Sequence, residues 1–396
     1  MTERWFKALN KNQVVAVLLI DFKKAFDSVS HPILMKKLSA CGVTGDLYCY
    51  LKSYLTSRKQ FTKLNNVLSD KTTVEYGVPQ GSLIGPTGFS INVNDMADNV
   101  CNQKNGNNTE KGELNLFADD TTAHEVGNTV DDAVAKIQGT ANEFFDHSCR
   151  NSLTIHPEKC KILIISRESF VGPLQQVIIN NKPIEIVNSS KCLGLTIDSR
   201  LSWRAHIQKL CKSFSAKLKK LYHMRSFSTK TLETIYNHGI LPSVLYAILI
   251  WGSSSNISEV NKIHIRAARY VKKVKKNVKD EDVLQAANWK SIQFYYKRAM
   301  ACKTFKIYKG CSAPLLSKLI TKSTCTRQTR NKYKLDNEIF KYSVFKRSFA
   351  FRAPKIWNNL SNDTRKVNAY NSFKAKLSHS NDLNKTTFDS NTNKEP

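Results

Sequence analysis

The 396-residue chain carries 61 Lys and Arg against 32 Asp and Glu, a net charge of +29. An excess this large exceeds what solubility requires and points to a polyanionic partner, nucleic acid before any other. The 41% hydrophobic content is enough for the cores of two or three domains, but the longest apolar stretch, residues 240–251, is too short to span a bilayer and contains Pro242.

The first residues lack the apolar core of a secretion signal. The ten Cys are scattered, none in C-x-x-C and none at zinc-ligand spacing with His. Reduced, mostly buried thiols in an intracellular protein, nuclear or cytoplasmic, are expected.

Residues 14–20, VVAVLLI, form a continuous apolar run suited to a strand buried on both faces, and the run ends in Asp21. Ser30, Pro32 and Gly42 bracket a helix, with Ser30 as its cap. A second helix is expected over 46–57, then strands over 59–66 and 71–76 around a turn at Asp70. A Gly-rich stretch at 77–88 leads into a helix over 86–97, and 102–112 is a polar loop. Strands over 113–118 and 121–126 flank Asp119-Asp120 at a tight turn, where short polar residues also suit the turn itself.

A helix over 130–150 presents Val134, Ile137, Ala141, Phe144 and Phe145 on one face. Asp131-Asp132 at its start is a second acidic pair, of the kind favoured by a helix's first turn. Strands are expected over 159–166, 175–180 and 191–197. The mixture indicates an α+β domain. From about residue 200, Trp203, Ile207, Leu210, Phe214, Leu218 and Leu221 recur at helical spacing, with lysines between them. Helices are expected over 203–225, 230–250, 257–277 and 281–310. The Asn-, Ser- and Lys-rich tail after 377 reads as disordered.

Three carboxylates at Asp21, Asp119 and Asp120 repel by about 4 kcal/mol per pair at 4 Å and an effective dielectric near 20. Their joint ionisation therefore calls for cations. Oxygen ligands without Cys or His select Mg²⁺ or Mn²⁺, and two such ions suit in-line phosphoryl or nucleotidyl transfer. In Gly77-Val78-Pro79-Gln80-Gly81-Ser82, the glycines allow close approach to a substrate, Pro79 fixes the turn, and Gln80 donates and accepts without charge. The loop alone is equally a hairpin connection.

In this order and spacing, LLIDFKKAFDSVSHPIL, GVPQGSLIGPTGFSINVNDM and FADDT resemble the reverse transcriptase palm of non-LTR (LINE-type) retrotransposons. LTIHPEKCKILII (153–165) and KCLGLTID (191–198) resemble the next two palm motifs. LPSVLYAILIWG, RAARYV and FAFRAPKIWNNL are similar more loosely. The resemblance implies a right-hand polymerase: a palm of antiparallel sheet on helices with the end of the fingers (1–200), a helical thumb (201–310), a basic C-terminal region (311–376) and a disordered tail (377–396). It implies an RNA-directed DNA polymerase acting on an RNA template, a DNA primer or target, and dNTP.

By the same resemblance, Asp21, Asp119, Asp120 and the Phe22 carbonyl hold two Mg²⁺. The Lys23, Lys24 and Ala25 backbone lies along the triphosphate. Phe26 gates the sugar 2′ position, or simply packs in the core. Gln80 contacts the nucleotide, with Pro79 and Gly81 towards the template. Phe117 and Ala118 sit at the primer end. Lys159 approaches the pyrophosphate, or is a solvated strand-end lysine. Lys209, Lys212 and Lys217 face duplex backbone, or line an ordinary charged helix face.

The chain departs from the family in beginning 20 residues before Asp21, so most of the fingers and any amino-terminal endonuclease are expected to be missing. It also has Pro-Thr-Gly at 86–88, where bulky apolar residues are usual; Gly88 there weakens a helix by up to about 1 kcal/mol. Three readings stay open: a reverse transcriptase, a nucleic-acid-binding remnant without catalysis, and a two-metal nuclease, which uses the same ligands but leaves the Pro-Gln-Gly loop without a role.

Overall fold

The computed structural model describes residues 1–102, 112–168, 174–323, 333–379 and 382–384. It divides into two compact units, one of Asn12–Gly194 and one of Met1–Lys11 with the chain from Leu195 onward. No helix among the described residues is long and apolar enough to cross a membrane.

The first unit is built on a five-stranded sheet. Its strands are β1 (Val14–Ile20), β2 (Glu113–Phe117), β3 (Asp120–Gly127), β4 (Lys161–Ile165) and β5 (Glu185–Val187), in spatial order β5-β4-β1-β3-β2. All neighbours are antiparallel except β5 and β4. The uninterrupted apolar run puts β1 at the centre, paired on both edges, with Val15, Ala16, Val17 and Leu18 buried.

The helix Val130–Arg150 packs Val134, Ile137, Ala141 and Phe144 with Ala16, Leu18 and Ile20 in one core. Thr129 caps this helix by accepting from the Asp132 N–H, and Asp132 accepts from Asn128 N–H and pairs with Lys136. The second acidic pair thus serves the helix start.

Several expectations are corrected. The 59–76 strands turn at Asn65-Asn66, both left-handed, and not at Asp70, giving nested two-residue pairs, Lys63–Leu64 with Val67–Leu68 and Lys59–Gln60 with Thr72–Thr73. The helix expected over 86–97 spans Ile84–Asn102, since Pro86 in a first turn removes no helix bond. A Cβ on Gly88 would lie 3.4 Å from both Leu34 and Val78, at the near edge of ordinary van der Waals contact.

The strand expected over 175–180 shortens to Ile178–Ile179, and 191–197 splits into Ser189–Cys192 and Leu195–Asp198 at left-handed Leu193 and Gly194. The polar 102–112 segment lies largely outside the described residues.

The second unit is helical. In the helix Arg204–Tyr222, Ile207, Phe214, Leu218 and Leu221 are buried while most of its lysines face outward. Asp198 leads into it, accepting from the N–H groups of Arg200, Ser202 and Trp203. The 230–250 segment breaks into Thr229–Ile235, a π-helical turn Tyr236–Ile240, Leu241–Val244 and Ile248–Trp251, because Pro242 starts a new turn and Ala247 is left-handed.

The expected 281–310 helix is likewise two, Asp280–Ala286 and Ile292–Tyr308, divided at left-handed Asn288. Ile257–Val271 stops short of 277. The helix Thr2–Asn10 buries Trp5, Phe6 and Leu9, and Glu3 accepts from the N–H groups of Phe349 and Ala350 at the start of the helix Phe349–Asn358. The tail is ordered beyond 377 in part, since Leu377 and Leu383 are fully buried. Residues 385–396 lie outside the described residues.

Candidate active site

Strand β1 pairs antiparallel with β3, Ile20 opposite Thr121, so the end of β1 and the start of β3 lie side by side. This register brings Asp21 next to Asp120 from a distant part of the sequence. Phe117 and Asp120 close the β2–β3 turn, with left-handed Ala118 and exposed Asp119 between them. Burial, then the Asp119 and Asp21 carboxylates, push Asp120 above its ordinary range, and Lys191 draws it back.

Asp21 is fixed through its backbone. Its carbonyl accepts from His156 N–H at 2.8 Å, and its N–H points at Cys160 Sγ at 3.5 Å. Phe22 bridges to Ile155, and Lys23 N–H donates to Thr154 O at 2.8 Å. Burial pushes the Cys160 thiol up to about 11, so it stays protonated. The Asp21 side chain is half-buried; its Oδ2 lacks a hydrogen-bond partner and stands 3.5 Å from Lys159 Nζ. A short 3-10 turn, Pro157–Lys159, holds Lys159 there. Among the described residues no group of three or more His, Cys, Asp or Glu is spaced to hold a metal ion.

The second loop docks on the first. Lys24 is left-handed and opens the 3-10 turn Ala25–Ser28. Lys23 and Lys24 are exposed and Ala25 is buried. Gly77 N–H donates to Val29 O at 2.8 Å and Val78 N–H to Phe26 O at 2.9 Å. Gly77 has φ of +89°, and a Cβ on it would meet the Asp27 backbone at 2.9 Å, so only glycine fits. Its carbonyl accepts from Arg58 and contacts His31 Nε2 at 2.8 Å.

Gln80 Nε2 donates to Asp27 Oδ1 at 2.9 Å. Pro79 O accepts from Ser82 Oγ, and exposed Gly81 is left-handed with open space around it. Phe26 packs on buried Phe89, centroids 4.8 Å apart, and Phe117 is 67% exposed beside Ala118.

The structure thus gathers Asp21, Asp119, Asp120 and Lys159, and separately ties residues 22–27 to Pro79–Gly81. Lys209, Lys212 and Lys217 belong to the second unit. Lys209 and Lys217 are hydrogen-bonded to Thr196 and Ser243, and Lys212 lines a cavity of about 540 Å³ with Lys219, Lys262 and Arg266. Sequence reasoning missed Asp27 and Lys191. Asp27 follows Asp21 within the same motif yet meets Gln80 only through folding, and Lys191 reaches Asp120 the same way. Neither residue carried a signal of its own.

The strand-end carboxylates, and the glycine-bounded Gln loop tied to the turn after Asp21, lie within a single segment of the first unit. Residues 3–197, just under half of the chain, match the family model for reverse transcriptase (RNA-dependent DNA polymerase), and this segment is a reverse transcriptase domain of the kind named in non-LTR mobile elements. The RNA-directed DNA polymerase from mobile element jockey of Drosophila funebris is 27% identical over 274 residues, covering 68% of this chain and 29% of that protein. The probable RNA-directed DNA polymerase from transposon X-element of Drosophila melanogaster is 27% identical over 277 residues, covering 68% of this chain and 30% of that one. The chain therefore spans less than a third of the length of these relatives. Apo telomerase from Candida tropicalis is similar at 13% identity and a TM-score of 0.34, over 50% of this chain and 37% of that one.

Proposed function

We propose that the chain acts as an RNA-directed DNA polymerase, joining dNTP to a primer 3′-hydroxyl on an RNA template. The observation that carries this reading is the strand register that sets Asp21 beside Asp120 at the turn holding Asp119, with Asp21 Oδ2 left without a hydrogen bond. An all-oxygen set of this kind fits Mg²⁺, with Mn²⁺ as the alternative. Asp21, Asp119, Asp120 and the Phe22 carbonyl would hold two such ions. When bound, they supply charge neutralisation and Lewis acidity for an in-line displacement.

The remaining roles fall to the chain's own groups. Lys159, beside Asp21, offers positive charge where pyrophosphate departs. The left-handed turn at Lys24 suits the Lys23–Ala25 backbone to follow a triphosphate. Phe26, held against Phe89, gives the sugar a fixed aromatic edge. Gln80, held by Asp27, presents its amide to the nucleotide, with Pro79 and Gly81 towards the template. Exposed Phe117 and Ala118 suit the primer end, and Lys209, Lys212 and Lys217 suit duplex phosphates.

Primer extension on poly-rA with Mg²⁺ tests the proposal. Extension by the chain and its loss in Asp119→Asn support it. Duplex binding by both with extension by neither supports the second reading, a nucleic-acid-binding remnant.

A further inference from the structure

In the second unit the helices Ile292–Tyr308 and Tyr370–His379 pack on one another. The first carries four Lys and Arg and the second two, and neither carries an Asp or Glu. Two of these cations are committed: Lys297 donates to Leu383 O at 2.9 Å and Lys376 to Asp363 O at 3.1 Å.

Arg298, Lys306 and Lys374 are different. Arg298, Cys302 and Lys306 follow one another every four residues, and so do Tyr370 and Lys374, which places each set on one helix face. Lys306 Nζ lies 4.4 Å from the centre of the Tyr370 ring. The Tyr370 side chain lies near the Cys302 thiol, and Arg298, Lys306 and Lys374 all act on that thiol electrostatically. Arg298 Nε is buried without a hydrogen-bond partner, and no carboxylate pairs with any of the three among the described residues.

Three like charges focused on one polar pair repel one another, and an oxyanion relieves this. Phosphate matches the donors, a planar guanidinium and two ammonium groups. We propose that Arg298, Lys306, Lys374 and the Tyr370 hydroxyl form a binding site for a phosphate of a nucleic-acid backbone, using none of the polymerase residues. No large apolar side chain of either helix is exposed, which disfavours a lipid surface.

The test is fluorescence-anisotropy binding of a labelled oligonucleotide to the full chain, without dNTP, across a NaCl series. The variant R298Q/K306Q/K374Q is compared with K303Q/K309Q/K376Q, which loses the same charge from the same region. The first should bind roughly tenfold more weakly, with a log K against log salt slope shallower by about 2 to 3, and the second should change far less. Thermal melts confirm that both fold. Equal losses in the two variants would reduce the effect to net charge and overturn the site, as would no loss in the first. Inorganic phosphate at fixed ionic strength separates the sources: selective loss of its binding, with oligonucleotide binding intact, would overturn the nucleic-acid assignment. Selective loss of binding to phosphatidylserine vesicles would do the same.

Discussion

Gln80 and Asp27 are 53 residues apart in sequence and joined by a 2.9 Å hydrogen bond from Nε2 to Oδ1. The bond ties the Pro-Gln-Gly loop to the turn that follows Asp21. Asp27→Ala removes the acceptor and frees the amide. Steady-state extension kinetics should show the dNTP KM rising about 5- to 10-fold, the equivalent of one net hydrogen bond, with kcat changed much less. An unchanged KM would mean that Gln80 does not position nucleotide.

Gly77 supports the same junction from the backbone. Gly77→Ala places a Cβ 2.9 Å from Asp27 Cα and O at a φ of +89°. The first unit should lose about 1–3 kcal/mol in urea unfolding, and extension should fall with it.

Lys159, largely exposed, and half-buried Asp21 form an ion pair at 3.5 Å. Because solvent screens the pair, Lys159→Ala should leave the melting temperature unchanged. Its expected signature is catalytic, a drop in kcat of about 10- to 100-fold. A loss of stability without loss of rate would reassign the lysine to structure.

Asn92 is fully buried, and neither its Oδ1 nor its Nδ2 has a hydrogen-bond partner. Asn92→Leu removes two unpaired polar atoms from a core that includes Phe89, Val93 and Met96. Denaturant unfolding should show a gain of about 1–3 kcal/mol. Asn92→Asp should destabilise.

His264 is fully buried, and burial holds its pKa at about 4. Its Nε2–H donates to Lys290 O at 2.9 Å, so Nδ1 is left as the acceptor for the Tyr236 hydroxyl at 2.5 Å. The unfolded chain, with an ordinary pKa near 6.5, takes up the proton first. Stability is therefore full above about 6.5 and declines as pH falls towards about 4, by roughly 3 kcal/mol. Unfolding midpoints measured across that window should fall steeply for the native chain and less steeply for His264→Gln.

The sequence was most legible where one signal governed a whole element. VVAVLLI could be little but a central strand, and Asp131 and Asp132 marked a helix start that the structure reproduces at Val130. It was least legible where single residues turn the chain left-handed. Asn65-Asn66, Leu193, Ala247 and Asn288 each divide an element that periodicity alone would continue. At the candidate site, the strand-end carboxylates stood out by their order and spacing. Asp27 and Lys191 did not, because their partners are set by the fold and not by neighbours in sequence.

Lys24 and Ala118 share nearly the same dihedral, φ of +52° and +53°, one soon after Asp21 and the other just before Asp119. Glycine at either place would be the more comfortable residue. A Gly exchange at 24 or 118 should therefore toughen the fold slightly while letting the carboxylate beside it roam, so that resilience and aim pull in opposite directions at these two corners.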